Sequence, residues 1–281
     1  MSIKDVLLGL TSYPNASNIG AVRWAVSFAE LVNCRIATFV ADVKIEVPGS
    51  LLGNSLMNVS ALVGAEMNKS KENARSLLAA FREEADKHGV LHEEIHERCL
   101  VGAIPDLMAD YARLRDLAII PVPADDSINP GYAETVVFQS GRPVLIIPEE
   151  LPRTEIKLDA IAVAWDFSRT AARAVADAIP LLERAKTVRI LCVTNEKSFR
   201  SFRANSELAA HLARHGINVI VDDVDAAGRT IGDVLTQFVA ANKIDLLVMG
   251  AYGHSRFREF ILGGATKSIM SRPPVPTFLS H

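Results

Sequence analysis

The chain repeats itself. Asp116-Leu-Ala-Ile-Ile120 corresponds to Asp245-Leu-Leu-Val-Met249, Ile104-Pro-Asp106-Leu107 to Ile231-Gly-Asp233-Val234, and Asp5-Val-Leu-Leu-Gly9 to Asp159-Ala-Ile-Ala-Val163. Thr135 stands before Arg142-Pro143-Val144 much as Thr266 stands before Arg272-Pro-Pro274-Val275. Matches in the same order along both halves imply tandem copies of one fold, so any architecture proposed for one half must suit the other. The junction, Pro148-Glu-Glu-Leu-Pro152-Arg-Thr-Glu, is a polar, proline-bracketed linker. We therefore expect two domains, residues 1–150 and 155–281.

Each copy reads as strands alternating with helices. In the first, Val6 to Thr11 is a strand, Ile19 to Val32 an amphipathic helix, Arg35 to Ala41 a strand and Leu62 to Lys87 a long helix. A strand from Glu94 to Leu100 follows, then a helix over Ile104 to Leu114, a strand from Leu117 to Pro121, a short helix near Glu134 and a last strand from Val144 to Ile147. The second copy runs from Ala160, with Arg203 to His215 as a shorter version of the long helix. Such alternation predicts a doubly wound, parallel α/β sheet with helices on both faces and ligands at the carboxyl ends of the strands.

Composition agrees. With 281 residues, 49% of them apolar, the chain has material for substantial cores. Thirty basic against 33 acidic residues, net −3, give no broad field for nucleic acid or a membrane surface. No apolar run approaches a membrane span, and Met1-Ser-Ile-Lys-Asp5 enters a strand instead of a signal-peptide core, so cytoplasmic residence is expected. Cys34, Cys99 and Cys192 are odd in number and widely spaced, which reads as buried thiols and not as a disulfide framework or zinc site.

One segment stands out chemically. Leu246-Leu-Val-Met249 is a short apolar run suited to a buried parallel strand, and glycines follow at 250, 253 and 263, ahead of a helix that begins near Gly264. Glycines so placed mark backbone that turns with positive φ or approaches something closely. The free N–H groups of the helix start, with Arg256 and Arg258 in the loop, make a phosphate a chemically sensible guest.

The spacing Gly250-x2-Gly253-x9-Gly263 resembles the nucleotide-binding signature of the universal stress protein family. The resemblance extends over nearly the whole chain as two such domains in tandem. It implies strand order 3-2-1-4-5 in each, pairing through the last strands as an intramolecular pseudo-dimer, and ATP, with Mg, between the first and fourth strands of the second domain. Asp166, in Ala164-Trp165-Asp166-Phe167-Ser168, would contact the nucleoside, and backbone near Val193 would read the adenine edge. Met249, Gly250, Gly253, His254, Gly263, Gly264, Ala265 and Thr266 complete the implied site. Two positions depart from the pattern: Phe167 replaces a glycine, and Gly264 replaces the Ser or Thr that follows the last glycine. A missing hydroxyl donor to phosphate costs about 1.5–3 kcal/mol. Thr266, in the first helical turn, either substitutes for it or merely caps the helix or faces the sheet.

The first half makes a poorer site. Pro121, Pro123 and Pro130 offer no N–H, Asp125 and Asp126 repel phosphate, and Leu10-Thr11-Ser12-Tyr13 carries no carboxylate in the place of Asp166. It reads as a degenerate partner. His211 and His215 stand at a metal-compatible spacing without a third ligand, and His88, His92 and His96 fit an exposed edge strand, so no metal is expected. No catalytic signature is present. The expected function is an ATP-binding stress-response regulator, with self-association through the last strands or helices left open. A nucleotide-independent interaction protein of the same fold is the alternative, and an enzyme acting on a nucleotide or small metabolite is a weaker third.

Overall fold

The repeated aspartates each hold the start of a strand. In the computed structural model, which describes residues 2–46, 56–123, 131–150, 156–194, 203–251 and 264–281, Asp116 Oδ2 accepts from the amides of Lys4 (2.8 Å) and Asp5 (3.1 Å). Asp245 Oδ2 does the same for Asp159 (3.0 Å) and Ala160 (2.9 Å). In each half this ties the first strand to the fourth at their amino ends and satisfies two backbone donors that lie beyond the ladder.

The strands are β1 (Asp5–Leu10), β2 (Arg35–Lys44), β3 (His92–Leu100), β4 (Leu117–Val122) and β5 (Val144–Pro148), then β6 (Ala160–Ala164), β7 (Thr187–Thr194), β8 (Val219–Asp225), β9 (Leu246–Gly250) and β10 (Thr277–Ser280). They form one ten-stranded sheet in the order β3-β2-β1-β4-β5-β10-β9-β6-β7-β8. Each half thus has the 3-2-1-4-5 order. Every pairing is parallel except β5 with β10, which is antiparallel with Ile146 opposite Thr277, Leu145 opposite Phe278 and Val144 opposite Leu279. The expected intramolecular pairing of last strands is therefore present. It also closes one expected route to self-association: β5 and β10 each have a strand on both sides, and the two edges of the sheet are β3 and β8.

Helices α1 (Ile19–Val32), α2 (Leu56–His88), α5 (Arg169–Leu182) and α6 (Arg203–Arg214) cover one face; α3 (Ile104–Arg113), α4 (Tyr132–Gln139), α7 (Ile231–Ala241) and α8 (Gly264–Ser271) cover the other. Asn18 caps α1 by accepting from the Gly20 amide at 2.7 Å, and Asn33 ends it in the left-handed conformation, φ 56°. Each face carries one continuous core that mixes both halves. Phe28, Phe81, Leu145, Leu181, Leu212 and Phe278 share the first; Met108, Ile146, Leu235, Leu247 and Ile269 share the second. Across the seam, Arg184 donates to the α1 end carbonyls of Leu31 (2.9 Å) and Val32 (3.4 Å).

The details correct several expectations. Val6 pairs with Leu117 as Ile161 pairs with Leu246, so Asp5 is the counterpart of Ala160, one position from the match read in sequence. The two aspartates have separate partners: Asp5 lies 3.7 Å from Arg35, and Asp159 accepts from Lys186 at 2.8 Å. Strand β2 runs past Ala41 because β3 pairs with it as far as Lys44, and the buried Asp42 meets His96 (2.8 Å) and Arg98 (3.5 Å). His88 belongs to α2 and not to the edge strand; it is paired with Glu30 (2.6 Å) and Glu84 (3.1 Å). Helix α2 starts at Leu56 instead of Leu62. Among the described residues no helix is long and apolar enough to cross a membrane.

Cys34 and Cys192 are buried and Cys99 is only half-buried; all are free thiols. Burial, with nearby carboxylates adding to it, pushes Cys34 and Cys192 up to about 12. The folded state then retains protons that the unfolded chain releases near pH 9, so it binds more protons and stability falls as pH rises from about 9 to 12. A thiolate-directed reagent at pH 8 is expected to modify Cys99 in the native protein and to reach Cys34 and Cys192 only on unfolding, as peptide mapping would reveal. Because both halves share their cores, Phe278→Ala, at the fully buried seam, is expected to lower the stability of the whole chain by about 3–5 kcal/mol. Urea unfolding should remain one transition; separate transitions for the halves would contradict the shared core.

Candidate functional site

Strand β6 ends at Ala164 and delivers a short, tightly held turn. Asp166 Oδ1 accepts from the Ser168 amide at 2.9 Å, and Ser168 Oγ caps α5 by accepting from the Ala171 amide at 3.0 Å. Between them Phe167 takes φ 59°, the left-handed conformation for which glycine is the ordinary choice. The chain has kept the turn and put a bulky residue in it. The Phe167 side chain is 64% exposed and meets the Trp165 ring edge-on, with centroids 5.9 Å apart.

Strand β9 ends beside it, Met249 opposite Ala164. Gly250 has a structural reason to be glycine: a Cβ there would lie 2.5 Å from the Ala171 amide nitrogen and 2.5 Å from the Thr170 carbonyl carbon. The close approach expected at this glycine is thus to the first turn of α5. Helix α8 then begins at Gly264, which is exposed, with nothing among the described residues within 4 Å of a Cβ placed on it. Thr266 is buried together with Ile269 and Met270. Burial places the Thr266 side chain on the packed side of the helix start and leaves Gly264 and Ala265 on its more open side.

Asp166, Val193, Met249 and Gly250 therefore gather at the carboxyl ends of the adjacent parallel strands β7, β6 and β9, with Gly264 and Ala265 at the start of the helix that follows β9. Val193 is half-buried and Met249 buried. Gly253, His254 and Gly263, with Arg256 and Arg258, lie outside the described residues. The carboxylates here are felt by Cys192, whose elevated value owes most to burial and then to Asp223, Asp166 and Asp222. Asp222 is paired with Arg189 at 2.7 and 2.9 Å, and Asp223 accepts from Asn205 at 2.9 Å.

The first half treats the equivalent place differently. By ladder register Thr11 corresponds to Asp166, Ser12 to Phe167 and Ala41 to Val193. Ser12 Oγ donates to the Ala41 carbonyl at 2.6 Å and lies 2.7 Å from Ser70 Oγ. Ser70 Oγ in turn accepts from the Val43 amide at 3.0 Å, and Asn73 Nδ2 donates to the Ser12 carbonyl at 2.9 Å. Ser12 and Ser70 are fully buried. The chain's own side chains thus occupy the backbone groups that correspond to those at Val193. Sequence reasoning missed Ser70 and Asn73, although small polar residues on the core-facing side of a long helix were a usable signal. Residues 124–130, which hold Asp125, Asp126 and Pro130, lie outside the described residues.

Comparison with known proteins places this geometry. The universal stress protein family model matches residues 157–281. A curated universal stress protein of Synechocystis is 36% identical over 44 residues, a match covering 16% of this chain and only 15% of that protein's length. The structure of a universal stress protein from Archaeoglobus fulgidus covers 98% of this chain, and 95% of itself, with a TM-score of 0.73 at 17% identity. A putative universal stress protein from Pseudomonas aeruginosa covers 99% of this chain, and 93% of itself, with a TM-score of 0.60 at 12% identity. These likenesses establish the fold over the full length, and the family model identifies the second half. Residues 157–281 belong to the universal stress protein family, joined to a first half that shares its fold.

Proposed function

We propose that the chain comprises two domains, residues 1–150 and 155–281, and that the second binds one adenine nucleotide, ATP with Mg, as a regulatory or interaction module of the stress response. The observation that carries this reading is the asymmetry of the two strand ends: self-bonded through Ser12, Ser70 and Asn73 in the first half, and built on the Asp166 turn and an open helix start in the second. Asp166 is positioned for ribose hydroxyls at the carboxyl end of β6, where its carboxylate also accepts from the Ser168 amide. Backbone at Val193 reads the adenine edge, Met249 and Gly250 form the floor, and the amides of Gly264 and Ala265, with Gly253, His254 and Gly263, take the phosphates. Thr266, buried, holds the helix start against the sheet. The first domain contributes sheet and core and takes no nucleotide.

Gly264 supports a second reading, a nucleotide-independent interaction protein, because it supplies no hydroxyl for phosphate. One set of measurements separates the two. Under the ATP reading, protein purified from cells releases adenine nucleotide on denaturation, in a ratio approaching one per chain, and Mg-ATP at a hundredfold excess over Kd stabilises it by about 2.7 kcal/mol. Asp166→Ala should lose the effect. Gly264→Ser, whose Cβ meets no atom of the described residues within 4 Å, should fold normally and bind roughly 10- to 100-fold more tightly. Absence of released nucleotide together with an unmoved melting temperature in millimolar Mg-ATP would remove the ATP reading.

A further inference from the structure

Trp165 carries a buried donor with no acceptor among the described residues. It is 8% exposed, and among the described residues its indole Nε1–H has no hydrogen-bond partner. Indole N–H groups ordinarily find an acceptor when buried, because an unmatched donor forfeits its water without recompense. The placement is specific. The Trp165 amide donates to the Leu191 carbonyl at 2.9 Å, which keeps the residue in line with β6, and its ring joins the same core face as Ile161 and Val163 while meeting Phe167 at the turn. Asp166 follows directly. In the first half the corresponding residue is Leu10, fully buried and without a polar atom, on the strand whose carboxyl end is sealed by Ser12 and Ser70. Leucine fills this core position without a desolvated donor, so the indole N–H is a feature of the second half alone.

We infer that the Trp165 indole N–H donates a hydrogen bond to the nucleoside portion of the ligand of the second half, making Trp165 a positioning residue beside Asp166. This rests on the nucleotide reading above. The nucleoside is the chosen acceptor because Asp166 is the next residue along the chain, and a carboxylate there disfavours phosphate. The phosphates belong instead at the α8 start beyond β9. A ribose oxygen or a ring nitrogen offers an uncharged acceptor of the required kind.

The full chain contains two tryptophans, so its indole 1H–15N spectrum holds two side-chain signals, and Trp24→Phe assigns them. Adenosine alone and Mg-ATP are each expected to move the Trp165 signal downfield while Trp24 stays in place, and inorganic tripolyphosphate is expected to leave both unmoved. Trp165→Phe, which keeps an aromatic ring in the core, should weaken Mg-ATP binding roughly 3- to 10-fold. If Mg-ATP raises the melting temperature but the Trp165 signal does not move and Trp165→Phe binds like wild type, the inference is overturned and the nucleotide reading stands. A response to tripolyphosphate and not to adenosine overturns the choice of acceptor. Failure of wild type to bind Mg-ATP by melting temperature overturns both.

Discussion

The antiparallel pairing of β5 with β10 is what makes this chain one body. Its residue pairs, Ile146 with Thr277, Leu145 with Phe278 and Val144 with Leu279, join two five-stranded sheets edge to edge and pair edges that would otherwise expose unpaired backbone. Because β5 and β10 each lie between two neighbours, the helices on either face meet across the seam, and Phe278 packs in the same core as Phe28 and Phe81 of the first half. A half-chain would leave that apolar surface in water. The Arg184 contact with the end of α1 strengthens the same junction by meeting free helix carbonyls.

Joining the halves frees them to diverge. Once the first half is held by the seam and the shared cores, its strand ends are not required to bind anything, and they are closed by hydrogen bonds from α2. The same position in the second half carries a carboxylate, an indole donor unmatched among the described residues and a backbone turn strained at Phe167. Strain and an unsatisfied donor each cost stability, and such costs gather where a structure serves a ligand. Gly250 shows the converse case. A glycine whose spacing resembles a nucleotide-binding signature also has a packing task, since β9 presses on the first turn of α5 there.

Much of the fold was legible in the residues. The repeated Asp116 and Asp245 and the apolar runs of β4 and β9 are local signals with local causes, so the alternation of strands and helices followed from them, while the strand order came from the family resemblance. What misled was register and length. Asp5 looked like Asp159 because both precede an apolar run, yet the ladder aligns Asp5 with Ala160, and only cross-strand pairing settles a one-residue slip. Strand β2 outran its apolar pattern because Asp42, polar by composition, is paired with His96 and Arg98 on the next strand.

The sequence by itself determined that the chain is a doubly wound α/β repeat and that its second half carries the glycine-spaced segment, because periodicity, turn residues and motif spacing are properties of neighbours along the chain. Only the tertiary structure decided which donors and acceptors remain in use at each strand end. Ser12 with Ser70, Thr266 among core residues and a Trp165 indole unmatched among the described residues are relations set by packing, and no spacing rule encodes them.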